Sequence, residues 1–161
     1  MAMRKTGDWE KVGSLISNLS NEMKKARELS LNRFGLKAEA LAKGHMSRQD
    51  LNWPALKPKT ISTKVRKGYS ENILIATSDY FLSITSFVKG DTVYVGVKKE
   101  SKNRDGRVIA NIAAIHEFGA ASVNIPARPL WQPTLNEAVE WHKKKNLPIL
   151  IFAKRIEKYY R

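Results

Sequence analysis

The chain has no cysteine among its 161 residues. That excludes a disulfide framework, thiolate metal ligands and a cysteine nucleophile, and it fits a reducing compartment. No apolar run exceeds six residues, so no segment is expected to span a bilayer, and no membrane partner is expected. The first residues lack an apolar stretch behind their basic groups, so a cleaved secretion signal is not expected either. Histidines number only three, at His45, His116 and His142, too scattered for a metal centre. The pair His116-Glu117 lacks the second histidine four positions on that a zinc-protease helix requires. Asp79, Asp91 and Asp105 share no spacing that would hold nuclease metals, and there is no glycine-rich phosphate loop or nucleophile elbow. The expectation is a non-enzyme without cofactor.

What is abundant is positive charge. Lysine and arginine number 29 against 15 acidic residues, a formal net charge of +14. The excess is concentrated in residues 43–67, in 98–107 and in 142–161, whereas 68–97 and 108–141 are mildly acidic. A chain this basic is expected to meet a polyanion or an acidic protein surface. Lys98, Lys99, Lys102, Arg104 and Arg107, with Lys143, Lys144 and Lys145, are the candidate polyanion contacts.

Hydropathy patterning predicts one domain over residues 1–161, of α+β class, with a small antiparallel sheet packed against helices. A long helix is expected over 8–43, with Asp8 as N-cap. Trp9, Val12, Ile16, Leu19, Met23 and Ala26 recur at alternating spacings of three and four, a narrow seam along one helix face. The seam can pack on the chain's own sheet or on a neighbouring copy, so it is the candidate self-assembly face. Gly35 is expected to kink this helix and Gly44 to end it. A second helix starts at Pro58, whose fixed φ suits a first helical position. Trp53 is expected to pin the preceding loop to the core. A short helix is expected over 79–84, capped by Thr77 or Ser78. A hairpin near 86–98 turns on Gly90-Asp91, and Val93, Val95 and Val97 alternate with polar positions. Residues 99–107 read as a flexible exposed loop, and 108–118 as an alanine-rich helix closed by Gly119. A third strand is expected near 122–126. A helix from Pro133 and a basic helical tail over 142–161 complete the chain.

Several short stretches fall in an ordered series: WPALKPKT from Trp53 to Thr60 with Lys64 behind it, ILIAT ending at Thr77, VGV ending at Val97, AIHEFG ending at Gly119, and IPARP from Ile125 to Pro129. The series resembles the virion-morphogenesis, or tail-completion, family of long-tailed phages and prophages, over roughly residues 30–135. The family motif then comprises Trp53, Leu56, Thr60, Lys64, Thr77, His116, Glu117, Phe118, Gly119, Ile125, Pro126, Arg128 and Pro129. The resemblance implies a structural protein of the neck or tail end that completes the tail or joins head to tail. Such proteins typically form rings, often of six subunits. The implied partners are copies of itself, neighbouring neck, head-completion and tail-tube proteins, and the DNA passing through the neck. The implied location is the virion, after assembly in the host cytoplasm. No catalytic residue comes with the resemblance. Pro126 and Pro129 would stiffen the segment that carries Arg128, whose expected partner is Glu117 of the same chain or an acid of a neighbouring copy. The rival reading is a basic nucleic-acid-binding module.

Overall fold

The computed structural model describes residues 7–157. Helix α1, Trp9–Arg48, runs 40 residues, about 60 Å at the α-helical rise, and organises everything else. Asp8 caps it, its carboxylate accepting from the Lys11 amide at 3.1 Å. The helix is continuous past both glycines expected to interrupt it. At Gly35 a glycine admits a close neighbour. A β-carbon built there lies 2.9 Å from Val93 Cγ2 and 3.1 Å from Ser86 Cβ, so the hairpin rests directly on the helix backbone. Gly44 lies within the last turns, and the true stop is Gln49, a left-handed C-cap whose amide bonds to the His45 carbonyl. The Gln49 side chain then exchanges two hydrogen bonds with the backbone of Ile73, which ties the helix end to the distant 70s segment.

Helix α2 spans Pro58–Arg66, α3 Asp79–Ser83, α4 Ile109–Phe118, α5 Trp131–Lys145 and α6 Leu147–Ile156. Strands β1, Ile84–Lys89, and β2, Thr92–Val97, pair antiparallel, Ile84 opposite Val97 and Lys89 opposite Thr92, around the two-residue turn at Gly90-Asp91. Gly90 sits at φ +58°, as a tight hairpin turn requires. A lone two-stranded ribbon is marginal in water, and α1 supplies its support. Ser86 donates to Glu39 of α1 at 3.2 Å, and Arg27 of α1 pairs with Asp91 in the turn. On the ribbon's other face Phe87 and Tyr94 stack with ring centroids 5.0 Å apart, both exposed.

The architecture is α+β, and the sheet has two strands where three were expected. Residues 121–123 form a turn of 3-10 helix, and the segment closes on itself through the single bridge of Ala120 with Ile125. Asn124 takes a left-handed conformation inside that loop. Pro126 follows at once, has no amide to donate, and stops a ladder from growing.

The core lies along α1. Ala42 and Met46 pack with Trp53, Tyr80, Ile84, Ile109, Ala113 and Leu130. Ala38 and Leu41 meet Ala138 of α5, and Ala26 meets Leu147 and Ile151 of α6. Near this last contact Arg155 of α6 reaches the buried Glu22 carboxylate at 2.6 Å. The buried line of α1 is therefore Glu22, Ala26, Ser30, Gly35, Ala38, Leu41, Ala42, His45 and Met46. Of the expected seam only Ala26 is fully buried; Leu19 is half-buried, and Trp9, Val12, Ile16 and Met23 are exposed.

Candidate functional site

Two features draw on the motif residues: a polar knot that ties three loops together, and the surfaces left beside it.

The knot begins at Trp53. Its ring is buried in the main core, and Nε1 donates to the Pro129 carbonyl at 2.8 Å. Arg128, itself 5% exposed, runs in the opposite sense: Nε donates to the Pro54 carbonyl at 3.0 Å and Nη2 to the Ala55 carbonyl at 3.2 Å. The Arg128 amide donates to the His116 carbonyl at 2.6 Å, binding the same segment to the end of α4. The 53–55 loop and the 125–129 segment are thus cross-stitched.

The expected Arg128–Glu117 pair does not form. The Glu117 carboxylate accepts instead from the amides of Leu130, at 2.7 Å, and Trp131, at 3.1 Å. It is the N-terminal cap of α5, delivered from α4, where a negative charge meets the positive end of the helix dipole. Leu130, the residue at the cap position, has no side-chain acceptor of its own. Gly119 completes the knot. It adopts φ +76°, and a β-carbon there would lie 2.9 Å from the Ala127 amide nitrogen and 3.0 Å from the Ile125 carbonyl oxygen. Phe118 points the other way and is 82% exposed. Ile125 is half-buried, and Pro126 and Pro129 are exposed.

Leu56, Thr60, Lys64, Thr77 and His116 line one cavity of about 300 Å³ between α2, the 70s segment and α4. Lys64 Nζ donates to the carbonyls of Asn72, at 2.6 Å, and Ile75, at 2.8 Å. Thr77 donates to Asp79, which also accepts the Arg104 amide. His116 Nδ1 is buried without a hydrogen-bond partner. Burial, then the positive charges of Arg128 and Lys64, hold the His116 pKa below its ordinary value of 6.5. The unfolded chain therefore takes up this proton first as pH falls. Stability rises with pH across the window below 6.5 and is lost on acidification through it. Replacing His116 with Asn is expected to flatten the slope of urea-unfolding stability in that window. An unchanged slope would show that the imidazole is not its source.

The other two histidines are engaged elsewhere. His45 Nδ1 lies 2.7 Å from Asp50, and His142 Nε2 lies 2.8 Å from Ser30 Oγ. Among the described residues no three metal-ligating side chains come together, and no helix is long and apolar enough to cross a membrane.

The candidate polyanion contacts are exposed on separate elements. Lys98, Lys99, Lys102, Arg104 and Arg107 surround a turn organised by Asn103, whose Oδ1 accepts from the amides of Asp105 and Arg107. Arg104 also reaches Asp79 at 3.5 Å. Lys143, Lys144 and Lys145 close α5, where they face the negative end of its dipole. The last four residues of the expected basic tail, 158–161, lie outside the described residues.

Beside the knot lies a feature that hydropathy patterning did not locate. Helices α1, α4 and α5 and strand β2 enclose an apolar groove of about 800 Å³, floored by Phe34, Ala38, Val97 and Ala113 and rimmed by Phe118 and Leu135. Its alanine-rich wall was visible in the sequence of α4, but the opposing walls come from segments far apart in the chain. Comparison with protein-family models, curated proteins and solved structures finds no match to this chain.

Proposed function

We propose that this chain is a structural building block of a phage neck or tail end, completing the tail or joining head to tail as a member of an oligomeric ring. One observation carries the reading most. Four residues of the ordered motif series are committed to fixing backbone: Trp53, Arg128, Glu117 and Lys64 each bond to main-chain groups of another loop. Meanwhile large apolar side chains outside the knot, including Ile16, Met23, Phe118 and Leu135, stay uncovered. Apolar surface left open on a rigidly braced small protein suits assembly with other proteins. A ring repeats one heterologous contact until it closes.

The test is imaging of particles assembled without this protein. The expected result is filled heads and finished tails that fail to join, or tails with faulty ends. Normal infectious particles would end the proposal.

The charge favours a second reading, a nucleic-acid-binding module, because eight exposed basic residues sit on the 98–107 turn and the end of α5. That reading requires DNA affinity in the isolated chain that falls steeply with the logarithm of salt concentration. Under the structural reading, a filter-binding salt series gives weak binding without sequence preference. Tight binding by a monomer would favour the alternative.

A further inference from the structure

We propose that the apolar groove between α1, α4, α5 and β2 receives the N-terminal half of α1 from a second copy of the chain. The inference rests on the ring reading and names its contact. Two complementary surfaces are left open on one molecule. The groove is concave and apolar, with Leu135 48% and Phe118 82% exposed at its rim. The first turns of α1 are convex: Val12, Ile16 and Met23 are 44%, 66% and 56% exposed, and no described residue before Glu22 is buried.

The helix cannot fill its own groove. Phe34 and Ala38, which line that groove, belong to α1 itself. Ile16 and Phe34 lie on one uninterrupted helix, separated by about 27 Å at 1.5 Å per residue. An α1 occupant must come from another molecule.

Charge selects the same segment. Copies of a +14 chain repel one another. Residues 9–23 contain only Glu10, Lys11 and Glu22 as charged groups, and Glu22 is buried against Arg155, so the exposed face of this segment is formally neutral. Lys98 and Lys99 directly follow Val97 of the groove, so an incoming helix start bearing Glu10 approaches a basic border. The exposed apolar pair on α6, Ile149 and Leu150, follows the exposed run Lys143, Lys144 and Lys145 that closes α5, and lacks this advantage. Because the inserting and receiving surfaces differ, the contact is head-to-tail, the kind that propagates and closes into a ring.

Complementation tests it. Ile16→Glu disables the inserting face and Leu135→Glu the receiving groove. Both sites are exposed, so both variants fold, as circular dichroism checks. In light scattering at the highest concentration the protein reaches, wild type is expected to associate. Each variant alone is expected to lose at least tenfold in self-association. Mixed, the two variants restore a one-to-one complex and nothing larger, because each supplies the half the other lacks. Ile149→Glu on α6 leaves association unchanged. Full assembly by either variant, failure of the mixture to pair, or loss of assembly in Ile149→Glu overturns this contact while leaving a ring through other surfaces intact. A wild type that stays monomeric also overturns it, and the neck role is then decided separately by the particle imaging.

Discussion

Gly119→Ala is expected to destabilise the protein by about 3–5 kcal/mol in urea unfolding. Two costs combine. The residue sits at φ +76° and ψ 173°, a region closed to side chains; a non-glycine residue there costs of order 1–3 kcal/mol. The added β-carbon would also stand 2.9 Å from the Ala127 nitrogen and 3.0 Å from the Ile125 oxygen. These are backbone atoms, and neither is free to retreat. Ile125 is held by both hydrogen bonds of its bridge to Ala120, and the next amide, that of Arg128, is bonded to the His116 carbonyl. The strain therefore spreads into the knot. Gly13→Ala is the control: it lies within α1 with nothing within 4 Å of the new methyl. It should gain up to about 1 kcal/mol from helix propensity. A Gly119→Ala variant within about 1 kcal/mol of wild type would mean that the α4 terminus is not packed against 125–127 as described.

The same residue shows what sequence makes visible. A glycine after an alanine-rich run announces a helix end, because it supplies a backbone conformation that other residues avoid. The hairpin was legible for the same reason, from Gly90-Asp91 between alternating valines, and so was the start of α2 at Pro58. These are local signals, complete within a few residues.

Non-local partners were not legible. Glu117 caps a helix that begins fourteen residues later, and the cap position itself, Leu130, carries no sign of it. Arg128 was expected to find a carboxylate, but backbone carbonyls carry no mark in a sequence. The register of α1 misled for a related reason. Its buried line contains Glu22, Ser30, Gly35 and His45, residues that hydropathy reads as surface. Each is buried with a specific contact: Arg155 for Glu22, His142 for Ser30, the hairpin for Gly35, and both Asp50 and the distant Glu137 for His45. The visible apolar seam at Val12, Ile16 and Met23 lies off that line and stays exposed.

Arg128→Met should cost about 2–4 kcal/mol and should also change how stability depends on pH. The first effect follows from the lost bonds. Two hydrogen bonds from a guanidinium, each worth about 1.5–3 kcal/mol, tie Pro54 and Ala55. The exposure of that loop lets water recover part of the loss. The second effect is electrostatic. Arg128 is one of the positive charges that hold the His116 pKa down, after burial itself. Without it the folded-state pKa moves back toward 6.5, the two states differ less in bound protons, and the rise of stability with pH below 6.5 becomes shallower. The slope persists in part, because burial and Lys64 still act. Arg128→Lys separates the two effects: it keeps the charge, and with it the steeper slope, but replaces a rigid two-pronged donor with a single flexible one and loses stability. Urea unfolding of the three proteins at pH 7 and at several values below 6.5 reads both quantities. If Met and Lys variants share one slope, Arg128 does not act on His116 through its charge; if both unfold within about 1 kcal/mol of wild type, the loop is not held by the guanidinium.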